Sequence, residues 1–172
     1  MPSGKYATSF VKTYETIGLK DVSRLVGPFD IAPASELEQM GAGIEGAYIV
    51  GHYSASLTNP ENVKFLKAWN ETYPGVAVDP FAVQAYDAMA AIAFAVKKTD
   101  GKFDGESFVT ALKGWTHNSP RGPIVIDAET RDVVQNQYVM QVRRLPDGKL
   151  GEVVVEVIPN VKDPWRVLNI GK

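Results

Sequence analysis

HNSPRGPIVIDAETRDVVQNQYVMQVRRLPDGKL, residues 117–150, is the stretch whose reading decides the fold. It reads as a turn, a short buried strand, an acidic loop and a longer strand. A Pro-Asp-Gly hairpin then leads into GEVVVEVI, residues 151–158. Ser119-Pro120 and Gly122-Pro123 punctuate the backbone, because proline fixes φ and glycine admits positive φ. Ile124, Val125 and Ile126 form a β-branched run, and Tyr138, Met140 and Val142 alternate with polar neighbours. Asp147-Gly148 between two such runs is a strong hairpin signal.

Upstream of this block the pattern changes to strands alternating with helices. Ser3 is the expected cap of a first helix, with Tyr6, Phe10, Tyr14 and Ile17 inward until Gly18 stops it. Val22 to Gly27 reads as a short buried strand ended by Gly27-Pro28. A brief helix follows, capped by Ser35, with Leu37 and Met40 inward and Gly41 as its stop. Ala47 to Tyr53 is the second expected strand. Asn59-Pro60 and Asp79-Pro80 each place a cap before a proline at the first helical position. The first of these helices carries the stripe Phe65, Trp69 and Tyr73. The second carries Ala82, Ala85, Tyr86, Met89, Ile92, Ala93 and Val96 and needs cover on more than one side. Asp104 caps a last helix with Phe108 and Leu112 inward, and the tail after Pro159 has no clear period. Early alternation followed by an antiparallel end predicts an α/β protein with a mixed sheet flanked by helices.

The bulk numbers exclude several classes. With 172 residues the chain has room for one ordinary core, and 45% hydrophobic with 22% charged residues is a globular composition. A formal charge of −2 without long basic runs gives no nucleic-acid footprint. There are no cysteines, so disulfides and thiol chemistry are excluded. No apolar run approaches the roughly 20 residues that span a bilayer. The N-terminus has neither the basic start nor the apolar stretch of a secretion signal.

Motif-like arrangements mostly resolve into ordinary structure. Gly41, Gly43 and Gly46 fit GxGxxG, but that motif needs a strand before it and a helix after it, and here the order is inverted. His52 and His117 are the only histidines, too few and too far apart for a metal site, and no GxSxG surrounds Ser54. Asp127, Glu129 and Asp132 read as a solvated turn, since a calcium loop needs a longer ligand series. Neither a cofactor nor a catalytic residue is expected. Asp30 stands out, just beyond a strand, where open α/β sheets present ligand loops. An Asx-turn or cap is the competing reading of that aspartate.

Taken in order, LVGPFDIAP (25–33), EGAYIVGHYSAS (45–56), NPENVKFLKAW (59–69), the helices of 81–114 and the closing β-rich block carry a resemblance. They resemble the C-terminal half of the type I periplasmic solute-binding proteins of ABC transporters, of the branched-chain amino acid and amide class. The resemblance implies a partial two-lobed fold. Residues 1–53 would end the C-terminal lobe up to the hinge, 54–126 would be the returning N-terminal-lobe segment, and 127–172 the final hinge crossing and β-rich end. It implies that the chain is the second half of a longer, extracytoplasmic parent, where the signal peptide would lie. The parent would capture a small polar solute, an amino acid, amide or organic or aromatic acid, and present it to an ABC permease.

The residues matching the family's cleft are Phe29 and Asp30 after the first strand. Ser3 and Gly4, at the start of the first helix, and His52 and Tyr53, at the entry to the hinge, complete the set. Branched-chain amino acid binders carry their acid one place earlier, where Phe29 stands here, which puts a simple α-amino acid ligand in doubt. Two other readings stay open: a ligand-sensing domain of an amide-responsive regulator or receptor, and, resting only on the glycine pattern, a nucleotide-dependent enzyme. A sheet and an apolar helix that have lost neighbours predict a homo-oligomer.

Overall fold

The computed structural model describes residues 3–169 and has a mixed sheet with helices packed on it. α1 (Lys5–Thr16) and α2 (Leu19–Val22) lead into β1 (Val26–Pro28). A 3₁₀ turn at Phe29–Ile31, α3 (Leu37–Met40) and a second 3₁₀ turn at Gly41–Gly43 precede β2 (Tyr48–Gly51). Three helices follow, α4 (Pro60–Thr72), α5 (Pro80–Lys98) and α6 (Gly105–Leu112). The chain closes with β3 (Thr116–Ser119), β4 (Gly122–Ile126), β5 (Val133–Arg144), β6 (Leu150–Val161) and α7 (Pro164–Asn169).

β5 organises the sheet. Its first residues pair antiparallel with β4, which continues to β3. Its later residues pair antiparallel with β2, from Tyr138 opposite Gly51 to Gln141 opposite Tyr48, and β2 pairs parallel with β1. Along most of its length β5 also carries β6, with register shifts near Gln135 and Val139. At 12 residues, β5 and β6 are about twice the usual strand length. The expected hairpin joins them: the Leu145 amide donates to the Lys149 carbonyl and Gly148 takes φ 82°. Where a turn was expected at His117, β3 and β4 form a tight hairpin around Pro120 and Arg121. Gly122 there has φ 95°, and a Cβ on it would lie 2.9 Å from the Tyr138 hydroxyl, which donates to the Arg121 carbonyl.

Two apolar clusters result. One gathers Val11, Ile31, Leu37, Met40, Ile49 and Met140 under α1 and α3. The other gathers Tyr53, Phe65, Val78 and Val83 between α4 and α5. Leu57 packs against both.

Several local expectations hold and others are corrected. Asp79 caps α5 by accepting from the Ala82 amide, and Asp104 forms a reciprocal capping box with Ser107. Ser3 and Ser35 do not cap: Gly4 and Glu36 occupy those positions and neither has a side-chain cap bond. Val22 ends a short helix and is exposed, so the first strand is shorter than expected. α1 turns Ala7, Val11 and Tyr14 inward and leaves Tyr6, Phe10 and Ile17 outside. At Val11 the Gly41–Gly43 turn comes so close that a Cβ on Gly43 would lie 3.0 Å from it. On α5 the buried residues are Pro80, Val83, Asp87 and Ala95, while Tyr86, Met89 and Ile92 are exposed. α5 is covered on more than one side, by α4 through the Phe65–Tyr86 ring pair, by α6 through the Lys98 bond to the Ala111 carbonyl, and by the β3–β4 hairpin through Asp87, although Met89 and Ile92 stay exposed.

Candidate functional site

β1 and β2 run parallel, so their carboxyl ends open onto the same side of the sheet. That is where an open α/β sheet leaves room for a ligand. Phe29 and Asp30 lie in the 3₁₀ turn directly after β1, and His52 follows the last residue of β2. Gly51 permits this juxtaposition, since a Cβ there would lie 3.0 Å from the Cβ of Phe29 and 3.3 Å from Met140.

A cavity of about 470 Å³ opens at this end, of ordinary size for a small-molecule site. Ser3, Gly4, Phe29 and Asp30 line it together, with Glu36 from the α3 side and Phe81 from the start of α5. Phe29 meets Phe81 edge-on, with ring centroids 5.6 Å apart and an interplanar angle of 65°. On its other side Phe29 meets His52 at 5.3 Å and 87°. The Asp30 carboxylate has no hydrogen bond or ion pair among the described residues, so it is not spent on an Asx-turn or a cap. α1 begins beside it at Lys5 and turns the positive end of its dipole toward the same cavity.

His52 is buried behind Phe29. Its Nε2 lies 2.9 Å from the Gln84 amide nitrogen, which donates to it if the imidazole is neutral. Neutrality is enforced: burial, and then the nearby Arg121 charge, push its pKa down to about 4. Tyr53 stands apart from this group. It is 2% exposed inside the second apolar cluster, and its hydroxyl donates to Asn62 Oδ1 at 3.0 Å. Burial and then Glu152 push its pKa well up.

Sequence reasoning missed the α5 contribution. Phe81 and Gln84 sit on the first turns of that helix, and nothing in local spacing says they reach Phe29 and His52. It also missed a buried ionic cluster further along α5. Asp87, 4% exposed, accepts from Arg121 Nε at 2.6 Å and from Ser119 Oγ at 2.9 Å. Arg121 also donates to Gln135, and His117 Nε2 lies 3.7 Å from Asp87. A lone acid on an otherwise apolar helix was the available signal.

The other motif-like groups are structural. The Asp127 carboxylate accepts from the Glu129 and Thr130 amides and pairs with Lys162 at 2.9 Å, which lowers its pKa to about 2. Among the described residues no group of three or more His, Asp or Glu is placed to hold a metal, and no helix is long and apolar enough to cross a membrane. Gly41 to Gly46 end α3 and turn into β2.

Residues 2–149 match the family described as periplasmic binding protein. Leu/Ile/Val-binding protein homolog 6 of Brucella melitensis is 34% identical over 166 residues, 95% of this chain and 43% of that protein. A solute-binding protein of an ABC transporter from Rhodopseudomonas palustris BisB5, in complex with 3,4-dihydroxybenzoic acid, superposes with a TM-score of 0.87 at 36% identity. That match covers 96% of this chain and 45% of the other. Another R. palustris solute-binding protein, in complex with 4-hydroxybenzoate, gives 0.90 at 32% identity over 98% of this chain and 46% of that one. The chain spans less than half the length of each of these relatives.

Proposed function

The chain belongs to the periplasmic binding protein family, and on that premise we propose that it forms one wall of a two-lobed cleft that captures an aromatic carboxylic acid for an ABC importer. The family is one of binding proteins rather than enzymes, and no bond is made or broken in this reading. The observation that carries it is the cavity floored by Phe29 and Phe81, with an unpaired Asp30 at its edge. Two edge-on rings offer an aromatic ligand the T-shaped or offset contacts that such rings favour. Asp30 repels a ligand carboxylate but accepts a hydrogen bond from a ring hydroxyl. The carboxylate is then left to the N-terminal end of α1 and to the opposite wall. Hydroxybenzoates held by relatives at 32–36% identity support this class over a plain amino acid. Ser3, Gly4, Phe29 and Asp30 touch the ligand in this reading. His52 holds Phe29 in place, and Tyr53 serves the hinge.

The two apolar clusters correspond, in the same proposal, to the two lobes: 1–53 closes one, 54–126 returns to the other, and 127–172 crosses back. Residues 1, 2 and 170–172 of those segments lie outside the described structure. In the same proposal the parent lies outside the cytoplasm and delivers its solute to a membrane permease.

One wall binds weakly. Calorimetry of the 172-residue chain with 4-hydroxybenzoate, benzoate and leucine should give little heat, because a tight site encloses most of its ligand. A dissociation constant below about 1 µM, some −8 kcal/mol, would mean the site is whole within this chain. In a chain carrying both halves of the fold, Asp30→Asn should cost 4-hydroxybenzoate about 1.5–3 kcal/mol, roughly one to two decades. Benzoate, lacking the hydroxyl, should keep its affinity, and Asp127→Asn should change neither. Equal losses for both ligands at Asp30, or tighter binding of leucine than of either acid, would overturn the assignment.

As a separate chain it should also self-associate. Phe81, Met89 and Ile92 on α5 and Tyr6 and Phe10 on α1 are exposed, and β6 shows Val155, Val157 and Ile158 to solvent. Light scattering should report a dimer or larger, with an interface above roughly 2,000 Å² of total buried surface, as in obligate assemblies. A cooperative monomer at micromolar concentration would show that the exposed apolar surface is tolerated.

A further inference from the structure

A second cavity, of about 270 Å³, lies across the Asp79-Pro80 and 33–37 segments from the Phe29–Asp30 cleft. Its polar groups come from the chain leaving β2 and from the start of β6. Tyr53, Ser54, Ser56 and Glu152 line it together. Its remaining wall is largely apolar, with Leu37, Val78, Leu145 and Leu150. The Glu152 carboxylate has no hydrogen bond or ion pair among the described residues, and none of the lining residues is a lysine, arginine or histidine.

Its neighbours are already committed. The Tyr53 hydroxyl donates to Asn62, and Ser54 Oγ contacts Ser56 Oγ at 2.9 Å and the Glu152 carbonyl at 3.2 Å. Glu38 on α3 accepts from the Leu150 amide, and Asp79 is held by the Ala82 amide. In the β5–β6 turn, Asp147 accepts from the Lys149 amide. A carboxyl placed among apolar walls without a counter-ion is held at a cost, and a ligand cation relieves it.

We propose that this cavity is a second ligand site, for a small primary alkylammonium ion. The ammonium donates to the Glu152 carboxylate and to Ser56 Oγ, and an alkyl chain of about four carbons lies along Leu37, Val78, Leu145 and Leu150, burying apolar area. An anion is excluded by the sign of the only charged lining group. A divalent metal is disfavoured, since such ions take several oxygen ligands and one carboxylate with two hydroxyls is too few. Desolvation pushes the Glu152 pKa up to about 8, as expected of a carboxyl that lacks its partner. Binding therefore strengthens as pH rises toward 9, while an alkylamine is still protonated.

Calorimetry on the 172-residue chain tests this with n-butylammonium chloride, n-butanol and sodium butyrate at pH 8.5 and constant ionic strength. The expected result is saturable one-site binding of butylammonium, at least about tenfold weaker binding of butanol, and none of butyrate. Glu152→Gln should lose about tenfold or more for butylammonium alone. Equal affinity for butylammonium and butanol, no saturable binding, or undiminished binding in Glu152→Gln would each overturn the site. Should the variant fail to fold by circular dichroism, the comparison of the three ligands on the unaltered chain decides the matter.

Discussion

The stability of the chain should stay nearly level from about pH 4.5 to 6.5 and then fall by about 2 kcal/mol between pH 6.5 and 8. Two groups that the fold desolvates, buried His52 and half-buried Glu152, oppose each other to produce this. His52 titrates near 6.5 when unfolded and near 4 when folded, so between those values the unfolded chain binds the extra proton. Its contribution is complete above pH 6.5 and is lost as pH falls toward 4. Glu152 titrates near 4.5 when unfolded and near 8 when folded, so between those values the folded chain holds the extra proton. Its carboxyl therefore destabilises the fold progressively as pH rises from 4.5 to 8. In the shared window the slopes cancel, and above pH 6.5 only the glutamate acts. The depressed Asp127 carboxyl enters only below the window, since it is ionised in both states above its ordinary pKa of 3.8.

Urea denaturation across pH 4–9 checks this, and each variant exposes one slope. Glu152→Gln should abolish the decline above pH 6.5 and leave a rise of about 3 kcal/mol between pH 4.5 and 6.5. His52→Gln should remove the plateau, so that stability falls from pH 4.5 onward. Unchanged profiles in both variants would mean that neither group is desolvated as described.

Arg121→Met should cost about 3–5 kcal/mol, the usual consequence of leaving one member of a buried pair without its partner. The guanidinium of Arg121 is the counter-ion of Asp87, and both are under 10% exposed. Without it the carboxylate keeps the Ser119 Oγ hydrogen bond and an imidazole nitrogen 3.7 Å away. The pair ties the middle of α5 to the β3–β4 hairpin, so the loss should appear as a lowered midpoint, on the order of 10 °C for a chain of this size. Removing both charges together, Asp87→Leu with Arg121→Met, should be far milder, because apolar residues of similar volume replace buried pairs at little net loss. Equal destabilisation by the single and the double variant would show that packing, not charge, holds this junction.

The candidate site was partly legible in the sequence. Asp30 stands out by its place after a strand, Phe29, Ser3 and Gly4 follow from the family resemblance, and the four line one cavity. Phe81 and Gln84 were not legible, because no local pattern encodes the contact of their helix with Phe29 and His52, in the segments that follow β1 and β2. Tyr53 follows His52 in sequence yet faces the other apolar cluster, as alternation along an extended segment directs.

What the sequence by itself determined is the list of elements and most of their ends. Asp79-Pro80, the Asp104 box with Ser107 and Asp147-Gly148 act within three or four residues, and each produced the cap or turn it implies. Only the tertiary structure decided which faces are buried. α1 turns Ala7 and Val11 inward rather than Phe10, and α5 sends Asp87 into the interior while Met89 stays outside. Caps and turns are closed by hydrogen bonds between near neighbours in the chain. Burial depends on whichever distant segment packs against the helix, here a glycine turn and a hairpin arginine.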